Sequence, residues 1–485
     1  MSGVVRGLRA RGTATLVVIM LAAGCQHTIT DPAATLARPN ASASTHKRSL
    51  EMIMGGPQPL SEDSVDALQG LAYRAGYQPD LRVEGLQFLL GCDRSVVVTT
   101  LRRRLPRVTD HDWLRRICQF VSDNGLTELD EALVSSWGRP WAAGMPEDQR
   151  PEYLALRAMH GPNAPAGIVW ETFRGADRPS QKGLRFRCWE LLHRLGERDA
   201  LIAMVSDPPA AGSHAAARHL HDAVMAFGTV PWNREEVLWI EKLAEPSRRA
   251  CWDAAAEAAA TISRDRQQAL EIRDLPVLAA AARHRPELLT SDEASLYASV
   301  ASGLRNQRHF RELDPGFLPG QEPSHRLDAH RDKLTWGDLV AMQIAQEALT
   351  LPQVRAHLFS FADRDIADET TEYGGVIDLD EQGRFNVREF PPRMRVHDRR
   401  FEASQDMFDA GYTALFHFHY HAQKHRNSEH AGPGAGDMAY ADSTRANCLV
   451  LTFVDENTMN VDFYRHDGVL VDLGVIVRPS ARRDA

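Results

Sequence analysis

Cysteine is scarce in this chain: 485 residues hold six, at Cys25, Cys92, Cys118, Cys188, Cys251 and Cys448, and no two form a CxxC pair. That spacing excludes a cysteine-built zinc ribbon and a thioredoxin-type redox pair. Buried free thiols are the expectation, with one or two disulfides left open. An excess of positive charge is also missing. The formal net charge is −9, and clusters such as Arg102-Arg103-Arg104 read as a solvated helix face, so nucleic acid is not an expected partner. The leading apolar stretch, Ala14 to Ala23, falls short of the ~20 residues a bilayer-spanning helix needs. From about Ser64 to Phe310 strand-like alternation is almost absent, which excludes an all-β protein. Length alone excludes a single core, so several domains are expected.

What is present begins with a targeting segment over residues 1–24, where Arg6, Arg9 and Arg11 precede the apolar stretch. It closes on Leu21-Ala22-Ala23-Gly24-Cys25, which resembles a bacterial lipoprotein lipobox. The resemblance implies cleavage before Cys25, a lipid on its sulfur, and a chain anchored to the membrane of the bacterial cell envelope, facing the periplasm or the exterior. Residues 25–63 are rich in Thr, Ala, Ser, Pro and Asn and read as a flexible tether.

Residues 64–310 are helical by period. Leu191-Leu192-His193-Arg194-Leu195-Gly196, with the following Asp199-Ala200-Leu201-Ile202, is similar to a HEAT-type repeat, which implies helix pairs stacked into a solenoid for substrate or partner binding. An irregular helical bundle is the alternative. Residues 311–332, with Pro315, Gly316, Pro319, Gly320 and Pro323, read as a linker.

Residues 333–480 read as mixed α/β. Thr335 is placed to cap a helix over Leu334 to Leu351. Gly375 to Leu379 and Arg384 to Phe390 flank Asp380-Glu381-Gln382-Gly383 as a hairpin. A helix is expected over Ser404 to Ala410, then a strand through Leu415-Phe416-His417-Phe418-His419-Tyr420-His421, a short helix from Asp437 through Ala441, and strands over Cys448 to Val454, Asn460 to Arg465 and Val469 to Val477.

The histidine strand carries the chemistry. Side chains two apart on a strand share a face, and imidazoles buried there without partners would cost several kcal/mol. Two of them with a carboxylate from the next loop make three of the four positions of a catalytic zinc. The pattern resembles the JAMM (MPN/JAB) metallopeptidase family, whose fingerprint is an upstream Glu in a Glu-x-x-Gly setting, then His-x-His, then Pro-Ser-x-x-Asp. Here Glu372-Tyr373-Gly374-Gly375, His419-Tyr420-His421 and Pro433-Gly434-Ala435-Gly436-Asp437 follow that order. The resemblance implies that His419, His421 and Asp437 ligate Zn2+ and that Glu372 is the general base. The earlier pair, His417 and His419, is an equally good His-x-His match. Gly434 replaces the family's Ser, and the segment from His421 to Asp437 is longer than usual. Asn427, Ser428 and Glu429 in that segment are candidates to replace the Ser or shield the metal. His397, His425, His430 and His466 read as loop or surface residues.

The fold class expected is therefore an all-α HEAT-like solenoid followed by a mixed α/β JAMM-like domain. The function expected is a membrane-anchored, zinc-dependent hydrolase of amide or peptide bonds acting on a protein or peptide. Its alternatives are a non-catalytic lipoprotein scaffold with a degenerate JAMM-like domain and a metal-sequestering protein with His425 and His430 as auxiliary ligands.

Overall fold

A computed structural model describes residues 28–140, 145–196, 198–208, 214–311, 324–395, 397 and 401–480. The expected targeting segment, Cys25 and most of the expected linker lie outside the described residues. Every described element before residue 374 is helical, and six strands follow: β1 (Gly374–Leu379), β2 (Phe385–Phe390), β3 (Phe416–His421), β4 (Cys448–Asp455), β5 (Thr458–Arg465) and β6 (Val469–Val477). Helices followed by an α/β sheet is thus the order found.

The chain forms two compact units, one of residues up to Arg104 with Val108–Ile117, the other of Leu105–Arg107 with everything from Cys118 onward. The division falls inside the stretch expected to be one helical domain. Helices from residue 118 on and the sheet belong to the same unit.

In the first unit the expected tether is largely helical, over Pro32–Leu36 and Ala43–Met54. Its polar residues are caps: the Asp31 carboxylate accepts from Ala34 N, the Ser42 hydroxyl from Thr45 N, and the Ser61 hydroxyl from Ser64 N. Leu36, Leu50 and Ile53 are buried, and Tyr77 Oη donates to Leu36 O at 2.6 Å. A few well-spaced apolar side chains are enough to order a segment whose average composition suggests disorder.

In the second unit the sheet has the order β2-β1-β3-β4-β5-β6, with β3 and β4 parallel and every other pair antiparallel. The hairpin lies where expected, with Gly383 at φ +71° in its turn, a conformation that glycine adopts without strain. Thr335 caps the helix Trp336–Thr350, accepting from Asp338 N at 3.1 Å while Asp338 Oδ2 accepts from Thr335 N at 2.8 Å. The helix Gln405–Gly411 leads into β3, and the helix Ala435–Thr444 makes the crossover from β3 to β4. The described end of the expected linker is packed rather than loose. His325 Nδ1 lies 3.1 Å from Asp462 Oδ1, and His330 is buried.

A buried ionic network holds the earlier helices to the sheet. Arg273 is fully enclosed; its Nε meets Glu271 Oε2 at 2.9 Å, its Nη2 meets Asp338 Oδ1 at 2.8 Å, and it also donates to Asn447 Oδ1. Arg465 from β5 reaches Asp338 Oδ2 at 2.9 Å. Burial pushes the Asp338 carboxyl upward, but the two guanidiniums outweigh it and hold its pKa at about 2. His466, expected at the surface, is buried and meets Glu271 Oε2 at 2.7 Å. Gly337 makes room for this network, since a Cβ there would stand 2.5 Å from Asp274 Oδ2.

Arg273→Ala should therefore strip Asp338 and Glu271 of a buried partner and destabilise the second unit by about 3–5 kcal/mol. Urea unfolding followed by circular dichroism checks this; a loss below about 1 kcal/mol, the level of an exposed ion pair, would contradict it.

Candidate metal centre

Strand pairing assembles the centre. Gly374 stands opposite His419 and Val376 opposite His417. Residues opposite each other across an antiparallel pair share a face. Tyr420 N donates to Tyr373 O at 3.1 Å, so the pairing continues past the strand end and brings Glu372 level with His421. The apolar alternates of β3, Phe416, Phe418 and Tyr420, are buried on the opposite side, which fixes the register because a slip of one residue would exchange the two faces. The crossover helix then carries Asp437 over the histidine face.

His419, His421 and Asp437 are the three residues that converge among those described. His419 Nε2 and His421 Nε2 are 3.3 Å apart. The Asp437 carboxylate faces both rings, with Oδ1 3.3 Å from His419 Nε2 and Oδ2 3.6 Å from His421 Nε2. Ligand atoms held about 2.0–2.1 Å from a tetrahedral zinc stand about 3.4 Å from one another. The two ring nitrogens stand at that separation, and the Asp437 carboxylate turns one oxygen toward each of them.

Hydrogen-bond partners fix where the protons sit. His421 Nδ1 lies 2.7 Å from the His430 carbonyl oxygen, which can only accept, so Nδ1 carries a hydrogen and the neutral ring presents a lone pair at Nε2. The Tyr464 hydroxyl, 3.4 Å from His419 Nδ1, can play the same part for the second ring. Two lone pairs and a carboxylate facing one point require a cation, and without a metal that cation is a proton. Burial works against the His421 imidazolium, yet its hydrogen bond to Asp437 and the charges of Glu372 and Asp437 raise its pKa to about 10. Burial likewise disfavours the Asp437 carboxylate, but the facing His419 and His421 hold it far below the usual range. Asp437 Oδ2 also accepts from Gly434 N at 2.9 Å, which fixes its orientation.

His417 belongs to the same face but is turned to other work. Its Nδ1 is 2.9 Å from the Tyr440 hydroxyl, and its Nε2 lies against Gly411, where a Cβ would stand 2.4 Å away. Burial lowers its pKa to about 4, so the ring stays neutral. Of the two registers that the sequence leaves open, His419 with His421 is the pair that converges on Asp437.

Glu372 is buried and lines the same cleft, of about 1120 Å³. Gln423 Nε2 donates to Glu372 Oε1 at 3.1 Å, and Asn427 Nδ2 donates to Gln423 Oε1 at 2.5 Å and to the His421 carbonyl at 3.1 Å. Of the loop candidates, Asn427 is thus a buttress, while Glu429 pairs with Lys424 at the surface. His425 stacks edge-on against Phe453 rather than facing the centre. His430 contributes its backbone carbonyl, and His397 is exposed at the cleft margin. Gln423, Tyr440 and Tyr464 were not foreseen. The β3–β4–β5 register places Tyr464 opposite Cys448 and Cys448 opposite His417, a relation that becomes readable only once the strands are paired.

Zinc uptake should release about one proton per chain between about pH 7 and 9, because His421 holds that proton in the metal-free chain below its raised pKa. Affinity should accordingly fall about tenfold for each unit the pH is lowered through that window. Titration calorimetry in two buffers of different ionisation enthalpy measures the release; uptake without it would contradict the His421 assignment.

Comparisons with protein-family models, with curated proteins and with solved structures gave no match, so the chemistry of this centre rests on its own geometry.

Proposed function

We propose that this chain is a zinc-dependent hydrolase of amide or peptide bonds with a divergent JAMM-like centre. The observation that carries the reading is the convergence of His419, His421 and Asp437, whose ligand atoms all lie within 4.8 Å of one another, with Glu372 in the same cleft. Zinc held by these three side chains would supply a Lewis acid for a carbonyl oxygen and acidify water. Glu372 accepts the proton of the attacking water and passes it to the departing amine. Gln423 steadies the Glu372 carboxylate at the cleft wall by donating to its Oε1. Asp437 keeps its orientation through Gly434 N, and the His430 carbonyl keeps the His421 lone pair inward.

The wider reading places this hydrolase in the bacterial cell envelope, anchored by lipid on Cys25, with its helices stacked as HEAT-like repeats that bind a protein or peptide. It rests on the lipobox-like Leu21-Ala22-Ala23-Gly24-Cys25 and on the helical repeats of the sequence. A second reading, a non-catalytic lipoprotein scaffold, is favoured by Gly434, which brings no hydroxyl where the family has one.

Elemental analysis of the full chain should find about one zinc, lost in a His421→Ala, Asp437→Ala double variant. Glu372→Gln should keep the zinc and lower peptide hydrolysis by about 10²- to 10⁴-fold in a peptide-library assay. Failure to retain zinc after loading would sink the enzyme reading. Full zinc with no difference between the unaltered chain and the Glu372→Gln variant would leave the scaffold.

A further inference from the structure

The cleft extends past the metal centre, and its two ends differ in chemistry. At the His421 end stand Glu372, Gln423 and Asn427, all polar and bonded to one another. At the His417 end the walls are aromatic. Phe408, from the helix Gln405–Gly411, stacks on Tyr440 with ring centroids 6.2 Å apart and planes 27° from parallel. Phe401 packs against the cluster of Val376, Met407 and Ala414, with Val376 standing opposite His417, and its ring also reaches Gly374, where a Cβ would stand 2.6 Å away. All three rings are half-buried and line the cleft. The Tyr440 hydroxyl is paired with His417 Nδ1, and the charge of Arg393 at the exposed margin is matched by Glu402.

The distance suits one side chain. His417 lies two residues before His419 on β3, roughly 7 Å along the strand, and Tyr440 lies three residues beyond Asp437, on the same face of the crossover helix. A group bound with its carbonyl at the metal ligands therefore reaches the aromatic end with a single large side chain. It does so on the side away from Glu372.

We infer that the aromatic end formed by Phe401, Phe408 and Tyr440 is a specificity pocket that takes a large apolar or aromatic side chain next to the bond to be cleaved. The inference rests on the zinc reading of the same cleft. Contact between aromatic rings adds to what area burial alone provides, whereas a charged side chain would lose hydration on entering among them.

Small hydroxamates, which chelate zinc through two oxygens, test it on the zinc-loaded full chain without knowledge of the substrate. Three are compared by calorimetry: acetohydroxamate, the hydroxamate of 3-phenylpropanoic acid, and the hydroxamate of 4-aminobutanoic acid, which is charged. The phenyl compound should bind at least about tenfold tighter than the other two, equivalent to about 1.4 kcal/mol. Phe408→Ala should erase that advantage, with bound zinc unchanged as the sign of an intact centre. Tyr440→Phe, which keeps the ring, should preserve it. Equal affinity for all three compounds, or tightest binding of the charged one, overturns the pocket while leaving the zinc centre standing. A chain that takes up no zinc overturns both.

Discussion

Asp338 is shared by two buried guanidiniums, one from the helical stretch and one from the sheet, and the second unit depends on that sharing. Arg273 and Arg465 approach the same carboxylate from separate parts of the chain. Each would be prohibitively expensive to bury alone. Together with Glu271, which also receives His466 and Arg445, they form a network in which almost every charge has an opposite neighbour. Removing water from such a set is tolerable only if all members are in place, so helices and sheet are held in one arrangement. The Arg273 contact to Asn447 carries this order to the residue just before β4, one strand away from the histidines.

From there the geometry of the centre follows by pairing. β1 sets Glu372 beside His421, β3 supplies two rings from one face, and the parallel step to β4 demands a crossover whose helix passes over that face. Asp437 arrives on its first turn. The partners outside the cluster then determine what it can hold. A backbone carbonyl behind His421 directs that ring's lone pair inward, a phenol stands behind His419, and a backbone amide steadies the carboxylate. The arrangement gathers negative charge and a ring lone pair at one point, which a cation would offset.

Much of the α/β region was legible because its signals are local. Thr335 before an apolar period, Gly383 in a two-strand turn, Ser404 before Gln405, and the alternation of β3 to β6 each fix a piece of backbone within a few residues. The convergence of His419, His421 and Asp437 was legible as well, since the two-residue period of a strand and the order of the motif needed no tertiary knowledge. What the sequence hid depends on distant pairing. His466 looked like a loop residue because its partner, Glu271, lies 195 positions earlier. Gln423 and Tyr464 carry no local mark of their roles. The segment before residue 63 was misjudged for another reason: Asp31, Ser42 and Ser61 count as disorder-promoting in an average, but as single residues at helix starts they do the reverse. The compact division near residue 104 left no compositional trace.

The loop between His421 and Asp437 connects two positions that are fixed independently, one by the sheet and one by the crossover helix. It also carries its own supports, with Asn427 N bonded to Phe453 O at 2.8 Å. The loop reaches into the centre too, through the His430 carbonyl behind His421 and through Gln423 and Asn427 beside Glu372. A change of length between Gln423 and His430 would therefore loosen what holds Glu372 and His421, so this stretch governs both what reaches the cleft and how the side chains beneath it are held.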